Sequence, residues 1–266
     1  MKRFAFIFII SIALVNCKNT SEEKISQTDL QEPVETINGG EAAQENGFVI
    51  TPVEHASMVL NWDGTIIYVD PVGGKDVYNN YSEADMILVT DIHGDHMDIP
   101  TLEAIVTYKT VVFAPKSVFD KMPESLQNKT NVINNGQMIE DFEMVIEAIP
   151  MYNLRPEALK FHEKGRGNGY VLERNGKRIY ISGDTEDIPE MRNLKNIDIA
   201  FVCMNLPYTM TVEKAAEAVL AFKPKTVYPY HFRGTDGMSD VSKFKSLVET
   251  GNPEIAVTQL DWYPKK

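Results

Sequence analysis

Four side chains that could bind a metal ion lie within six residues of one another. Asp91, His93, Asp95 and His96 follow residues 86–89, an apolar run that predicts a buried strand. Two imidazoles and two carboxylates suit a divalent ion, whereas a folding core excludes such a mixture. The chain has five histidines, and two of them lie here. The segment therefore predicts a metal site rather than an ordinary polar loop.

The same segment carries a family resemblance. Residues 90–96 resemble the His-x-His-x-Asp-His signature of the metallo-β-lactamase superfamily, with Asp91 where the first histidine normally stands. Three further motifs follow the family's order: Ser182-Gly183-Asp184-Thr185 resembles the bridging-aspartate motif, Pro229-Tyr230-His231 resembles the segment of the last histidine ligand, and His55-Ala56-Ser57 resembles the entry strand of one branch. That branch includes sugar-phosphate lactonases and phospholipase-D-like enzymes. The resemblance covers about residues 48–262.

The resemblance implies a centre that holds two divalent metal ions. Its ligands would be Asp91, His93 and His162 in site one, Asp95, His96 and His231 in site two, and Asp184 as the bridge between the ions. Zinc is the first expectation for the metal, with manganese or iron as alternatives.

Two of these assignments stay open. Asp91 keeps a ligand atom but makes site one harder and more anionic than an imidazole would. The alternative is that site one is weak and that one ion does the work. His162 lies in a glycine-containing loop, and the alternative is that it contacts substrate. Arg166 in the same loop is expected at the solvated surface, and the alternative is that it meets an anionic substrate.

Two further residues are expected near the metals. His55 lies on a strand-like segment, and the resemblance places it close to the ions without making it a principal ligand. It is either a structural histidine or a catalytic one. Tyr208 precedes a predicted helix, where it either reaches the rim of the pocket or packs against its neighbours.

The predicted chemistry is hydrolysis. Two ions about 3.5–4 Å apart can share a hydroxide at neutral pH, so no protein nucleophile is needed, and Asp95 would orient that hydroxide. The expected function is a metal-dependent hydrolase that acts on a small-molecule ester, lactone, amide or phosphodiester. The alternative is a catalytically silent lipoprotein of the same fold that binds a metal or a partner. The presence of Asp95, Asp184 and His231 argues against that alternative.

The N-terminus predicts export and a lipid anchor. Residues 1–16 have a basic start and an apolar run too short to span a bilayer, which is typical of a secretory signal. Cys17 follows a segment that resembles a bacterial lipobox, although Asn16 fits it poorly, and its thiol is the expected lipidation site. Ordinary cleavage with an incidental Cys17 is the alternative. Residues 17–47 predict a flexible tether and residues 48–266 the hydrolase domain, held on the membrane of the bacterial cell envelope outside the cytoplasm.

Charge limits the partners. The formal net charge is −12, and −14 once Lys2 and Arg3 leave with the signal. An acidic surface argues against nucleic acid as a partner and against electrostatic docking on anionic lipid. The expected partners are a small-molecule substrate and, through the lipid anchor, a membrane. Nothing in the sequence indicates an oligomeric state.

The hydrophobic pattern alternates strands with helices. Strands are predicted over 53–62, 65–69, 111–114, 144–151, 170–173, 178–181 and 256–260. One helix is predicted to be capped by Asp98, with Pro100 in its first turn, and to run through 102–108; a second covers 212–222 with Thr211 as its cap. Asp63-Gly64 and Asn175-Gly176 predict tight hairpins. Periodicity alone indicates an α/β or α+β fold. The resemblance implies the α+β class, as a four-layer αββα sandwich.

Overall fold

Two mixed sheets of seven strands each form the body of the protein. The structure, a computed structural model, describes residues 43–45 and 47–264. The first sheet contains, in spatial order, β1 (Ala43–Glu45), β2 (Phe48–Glu54), β3 (Ser57–Trp62), β4 (Thr65–Val69), β5 (Met86–Leu88), β6 (Val111–Ala114) and β7 (Thr130–Val132). Strands β1 to β4 pair antiparallel, and β4 to β7 pair parallel.

The second sheet comes from the C-terminal half of the chain. The strands of this half are β8 (Met138–Asp141), β9 (Met144–Met151), β10 (Gly167–Arg174), β11 (Lys177–Ile181), β12 (Ile199–Cys203), β13 (Thr226–Tyr230), β14 (Arg233–Gly234), β15 (Gly237–Met238) and β16 (Ala256–Val257). The sheet order is β16-β13-β12-β11-β10-β9-β8, while β14 and β15 form a separate ribbon. Strands β11, β12, β13 and β16 are parallel, and the remaining pairs of the sheet are antiparallel.

Helices cover the outer faces of both sheets. They are α1 (Ile99–Ile105), α2 (Lys116–Phe119), α3 (Glu124–Gln127), α4 (Pro189–Arg192), α5 (Val212–Phe222) and α6 (Val241–Gly251), with a short 3-10 helix at Lys75–Tyr78. Successive strand residues face opposite sides. Ile67 therefore joins the core between the sheets, while Tyr68 packs outside with Leu102 of α1. On the second sheet, Val219 of α5 and Phe244 of α6 are buried in the core. The predicted αββα sandwich is confirmed.

Several predicted elements are confirmed at residue level. Helix α5 begins and ends as predicted, and the Thr211 hydroxyl accepts the N–H of Lys214 at 3.2 Å. Strands β4, β6 and β9 have the predicted bounds. Asp63 and Asn175 both take positive φ, 48° and 52°, followed by glycine, as tight hairpins require.

Other predictions are wrong in ways that matter locally. The predicted strand 53–62 is interrupted, because His55 takes φ 59° and turns the chain from β2 into β3. Helix α1, Ile99–Ile105, begins after Asp98 with Pro100 in its first turn as predicted, but it ends before the predicted Tyr108. The Asp98 carboxylate accepts the Thr101 hydroxyl instead of a backbone N–H. The last strand shrinks to β16.

Helix α6 was not predicted at all. Asp240 caps it by accepting the N–H of Lys243 at 2.8 Å, and only Phe244 and Val248 of its residues are buried. Val241, Phe244 and Val248 recur at helical spacing, so this helix could have been predicted from the sequence.

The parallel strands of both sheets end at one edge of the sandwich. Asp70 follows β4, residues 89–96 follow β5, residues 182–186 follow β11, and His231 follows β13. The two sheets are tied together here, because Tyr170 in β10 donates its hydroxyl to the carbonyl of Val89 at 2.9 Å. Loops at the carboxyl ends of parallel strands are the usual place for ligand sites in α/β proteins.

The predicted signal peptide, Cys17 and almost all of the predicted tether lie outside the described residues. Among the residues that the structure does describe, none belongs to a helix long and apolar enough to cross a membrane.

Candidate metal centre

Histidine and aspartate side chains from five loops converge at the edge of the two sheets. Within 43–45 and 47–264, three groups have ligand atoms that all lie within 4.8 Å of one another: Asp91, His93 and His162; His96, Asp184 and His231; and His55, Asp95 and His231. The structure thus brings together all seven side chains predicted as ligands, together with His55. We keep the names site one for Asp91, His93 and His162, and site two for Asp95, His96 and His231.

A tight turn after β5 presents the first motif. The N–H groups of His96 and Met97 both donate to the carbonyl of His93, at 3.0 and 2.8 Å. Thr90 anchors the start of this turn, because its N–H and hydroxyl donate to the Asp70 carboxylate at 2.7 and 2.6 Å. The motif therefore begins at a fixed point on the sheet edge.

Asp70 also orients His96. The Nδ1 atom of His96 lies 2.8 Å from Asp70 Oδ2. The ring donates its Nδ1 proton to this carboxylate, and its Nε2 atom faces the other predicted metal ligands. Both side chains are fully buried. Burial alone would lower the pKa of His96, but the Asp184 and Asp70 charges raise it well above its usual value. Burial raises the pKa of Asp70.

Asp184 lies between the two sites. Its Oδ1 is 3.1 Å from His231 Nε2, and its Oδ2 is 3.2 Å from His162 Nε2 and 3.5 Å from His96 Nε2. Burial would raise the pKa of this carboxyl, but His231, His96 and His162 hold it well below its usual range. The carboxylate is therefore ionised, and it faces imidazoles from both sites.

Two buried atoms that could bind a metal ion lack hydrogen-bond partners. Asp184 Oδ1 and His162 Nε2 are both buried without a hydrogen bond among the described residues, although each has a ligand atom of the other type within 3.2 Å. Those close contacts are not aligned as hydrogen bonds, so the lone pairs point toward shared space. Buried polar atoms are rarely left unsatisfied. A divalent cation would satisfy them, and the donor set fits one.

His162, like His96, is oriented by an oxygen acceptor next to its Nδ1 atom. Its Nδ1 lies 3.2 Å from the carbonyl oxygen of Tyr208, to which it can donate, and 3.3 Å from the Asn153 amide nitrogen. This leaves Nε2 facing Asp184 and Asp91. The side chain is almost fully buried. Its position favours a ligand over a substrate contact.

His231 completes site two at the end of β13. The residue takes φ 46°, an uncommon backbone for a non-glycine residue, and its ring is fully buried. Its Nε2 lies 3.1 Å from His96 Nε2 and 3.5 Å from Asp95 Oδ2. Burial lowers the pKa of His231. A neutral imidazole is the form that binds metals.

Asp91 has a partner that the sequence did not reveal. Arg166 donates from Nε to Oδ1 at 3.0 Å and from the guanidinium to Oδ2 at 2.8 Å, a two-bond fork. Burial would raise the pKa of Asp91, but His93, His96 and Arg166 lower it to about 2. The expectation of a solvated Arg166 is wrong. The expected gain in negative charge at site one is cancelled by this guanidinium.

His55 lies in a turn rather than on a strand, beside site two. Its Nδ1 is 2.9 Å from the Tyr263 hydroxyl, which accepts the N–H of Arg233 at 3.0 Å. The ionised Asp95 carboxylate can only accept, so His55 presents Nε2–H to its Oδ2 at 3.3 Å, and Nδ1 is then the acceptor of the Tyr263 hydroxyl. In this state His55 donates to a ligand instead of binding a metal itself. Tyr263 was missed because nothing near it in the sequence signals a site.

Tyr208 contributes mainly through its backbone. Its carbonyl contacts His162, whereas its ring is partly exposed, packs edge-on against Phe161 at 5.1 Å and bonds Thr235 at 3.0 Å through the hydroxyl. The ring therefore belongs to the rim, beside the loop that carries His162.

Only two side chains of the centre reach solvent substantially. His93 is 40% exposed and Asp95 is 42% exposed, while the other predicted ligands are buried. One ligand of each site therefore reaches solvent.

One family model and several known proteins are similar to this chain. The family model described as a β-lactamase superfamily domain matches residues 49–231. A UPF0173 metal-dependent hydrolase of Pyrococcus abyssi is 30% identical over 175 residues, 64% of this chain and 76% of the relative. A crystal structure of a proposed metal-dependent hydrolase from Parabacteroides distasonis is 37% identical, with a TM-score of 0.74 over 84% of this chain and 99% of that one. The di-iron β-hydroxylase CmlA of Streptomyces venezuelae is 17% identical, with a TM-score of 0.61 over 81% of this chain and 53% of that one.

Proposed function

Because the chain belongs to the β-lactamase superfamily and to its UPF0173 metal-dependent hydrolases, we propose that it hydrolyses a small-molecule ester, lactone, amide or phosphodiester at a centre of two metal ions. One observation carries the two-ion proposal: the two oxygens of buried Asp184 face imidazoles of both sites. A carboxylate in that position can serve two ions at once. Zinc is the proposed metal, with manganese or iron as alternatives.

The residues would divide the work as follows. Asp91, His93 and His162 would hold the ion of site one, Asp95, His96 and His231 that of site two, and Asp184 both. Divalent ions in such a site supply an activated water at about pH 7 and polarise a substrate oxygen. No protein nucleophile is required, and Cys203 does not offer one, because burial raises the pKa of its thiol to about 12.

Asp95 has the position of the group that directs the attacking water. It is the exposed carboxylate of the centre, and His55 fixes one of its oxygens from the side. Burial would raise the pKa of Asp95, but the hydrogen bond from His55 and the charge of His96 hold it well below its usual range. It is therefore an ionised acceptor for a water proton at neutral pH.

The chemistry of the substrate follows from the branch that the His55-Ala56-Ser57 motif resembles. We propose phosphodiesters and lactones ahead of β-lactams. The test is metal analysis of the purified protein, followed by a hydrolysis panel of these three classes with and without a chelator. Turnover that survives complete metal removal would overturn the proposal. Tight metal binding without turnover across the panel would favour the silent, metal-binding alternative.

We also propose that the domain is anchored to the bacterial cell envelope through lipid on Cys17, with residues 17–47 as its tether. The support is the sequence alone: the apolar run 4–15 followed by one of the chain's two cysteines. Cys17→Ser should release the protein from membranes or leave a heavier precursor. Cys203→Ala, which changes the buried cysteine, is the matched control. Normal membrane retention and mature mass in Cys17→Ser would refute the anchor.

A further inference from the structure

Arg166 binds Asp91 with more than one contact. Besides the two-bond fork to the carboxylate, the guanidinium donates to the carbonyl of Phe161, the residue before His162. The carbonyl of Arg166 itself accepts the hydroxyl of Ser117 at 2.5 Å. One side chain therefore connects two ligand-bearing loops of site one, and its own backbone is anchored.

The fork decides which way Asp91 faces. With both oxygens fixed, Oδ2 lies 2.8 Å from His93 Nδ1 and 3.9 Å from His162 Nε2. A planar guanidinium holds a carboxylate in one orientation, which the point charge of a lysine does not. The ligand atoms of site one converge only in that orientation.

The pair also explains how a carboxylate is tolerated where the superfamily signature has an imidazole. Asp91 is fully buried close to Asp184, and an additional uncompensated charge there would be costly. Asp91 and Arg166 together carry no net charge, as the neutral imidazole would. The two residues differ from the imidazole in presenting an oxygen, and in sharing that oxygen with a guanidinium and with His93.

We infer that Arg166 is the positioning residue that sets metal affinity at site one, where it and Asp91 act as one neutral, oxygen-donating unit. This rests on the proposed two-ion centre and deepens it. A ligand oxygen already shared with a guanidinium donates less to a metal, so site one binds its ion more weakly than site two. An oxygen ligand also favours a harder ion, such as manganese, relative to zinc.

The effects of Asp91→His and Arg166→Met on the zinc affinity of site one should not add. Asp91→His alone leaves the buried guanidinium unpaired beside the ion, so the affinity of site one falls for zinc and for manganese. Adding Arg166→Met removes that charge, so the double variant recovers zinc affinity by about tenfold or more over Asp91→His. If Asp91 acted independently, Asp91→His would raise zinc affinity by itself.

The experiment is a competition titration with a chromophoric chelator, using zinc or manganese alone, on the wild type, both single variants and the double variant. Native mass spectrometry counts the ions at each step. Arg178→Met is the matched control, since Arg178 is similarly buried and paired with Glu147 and Glu173 at the opposite end of β11. It should leave both binding steps unchanged.

Three outcomes separate the possibilities. Recovery by the double variant of about tenfold supports the inference. Additive effects, or a higher zinc affinity in Asp91→His alone, overturn it while leaving the two-ion centre intact. A wild type that binds no ion overturns both proposals.

The metal affinity of the Arg166→Lys variant is a second test, because this substitution keeps the positive charge and removes only the two-bond fork. It should lower the affinity of site one by about tenfold and leave site two unchanged, because the lysine lacks the fork. Wild-type affinity at both sites in this variant would overturn the inference, even if the double variant did not fold.

Discussion

The ligands of site one and those of site two are held in place by different kinds of contact. In site two, His96 and His231 are fully buried, and His96 is fixed by a buried carboxylate at the end of β4. In site one, His93 is 40% exposed and Asp91 shares both oxygens with Arg166. Its third member, His162, comes from a loop rather than from a strand end. Each site also has one half-exposed ligand, so the two sites differ in what fixes their buried ligands. A carboxylate at the end of β4 fixes His96 in site two, whereas Arg166 fixes Asp91 in site one from a loop.

This difference predicts that site two binds its metal ion more tightly than site one. Ligands held by rigid elements and by partners behind them bind metals tightly, because little order has to be created on binding. A site whose ligands are held by contacts between loops is weaker and more easily altered. Asp184 faces both sites, so removing this one carboxylate weakens both of them.

The largest effect should follow removal of the shared carboxylate. Asp184→Asn keeps the size of the side chain but removes the charge that both sites face. We expect metal content to fall at both sites and kcat/KM to fall by more than the roughly 10–100-fold typical of a residue behind a ligand. Metal analysis and steady-state kinetics measure the two effects.

Asp187→Asn is the control for this loop, because Asp187 pairs with Arg192 and not with the centre. It should keep both ions. Two ions bound at wild-type affinity in Asp184→Asn would show that Asp184 is not a shared ligand.

The next effect distinguishes the two sites directly. His231→Ala should remove the tightly bound ion, whereas His162→Ala should leave one ion per chain with the affinity of site two. Native mass spectrometry at rising metal concentration gives both values. If His162→Ala retains two ions while KM or kcat changes, His162 belongs to the substrate pocket and site one has another ligand.

Most ligands of both sites could be predicted because they follow strands that the sequence reveals. Residues 91–96 follow β5, Asp184 follows β11 and His231 follows β13, and such strands can be predicted from apolar runs such as 86–89. Both the αββα fold and the convergence of these residues follow from that pattern combined with the resemblance.

The contacts behind the ligands could not be predicted in the same way. Arg166 lies 75 positions from Asp91, and Tyr263 lies 208 positions from His55. A residue pattern has no period that reports such pairs. The one available signal was chemical: a carboxylate at the buried position of an imidazole needs a cation nearby, and Arg166 flanks the β10 strand that crosses the centre.

A smaller effect should come from the carboxylate behind His96. Asp70→Asn removes the acceptor that fixes His96 Nδ1–H, and so it loosens a ligand of site two alone. We expect the affinity of site two to fall by about 10–100-fold. The affinity of site one should change less, and a two-step chelator titration resolves the steps.

Asp85→Asn is a comparable change at the other end of the same sheet, where Asp85 accepts the N–H of Ile66 and pairs with Lys109. It should alter stability without altering either binding step. Equal losses at both sites in Asp70→Asn would mean that Asp70 supports the whole edge and not His96 in particular.

The smallest effect should come from Tyr263, which contacts no predicted ligand. Tyr263→Phe removes the hydroxyl that donates to His55 Nδ1, and His55 then loses its preference for carrying the proton on Nε2, the atom that faces Asp95. One such hydrogen bond is worth about 0.5–1.5 kcal/mol, so we expect kcat/KM to fall by roughly 2- to 10-fold with both ions retained. Nitrogen-15 NMR of the histidine rings should show the His55 tautomer change, which a general loss of stability would not produce. An unchanged tautomer would mean that Tyr263 only packs against the ring, and that Asp95 is oriented without help from the C-terminal segment.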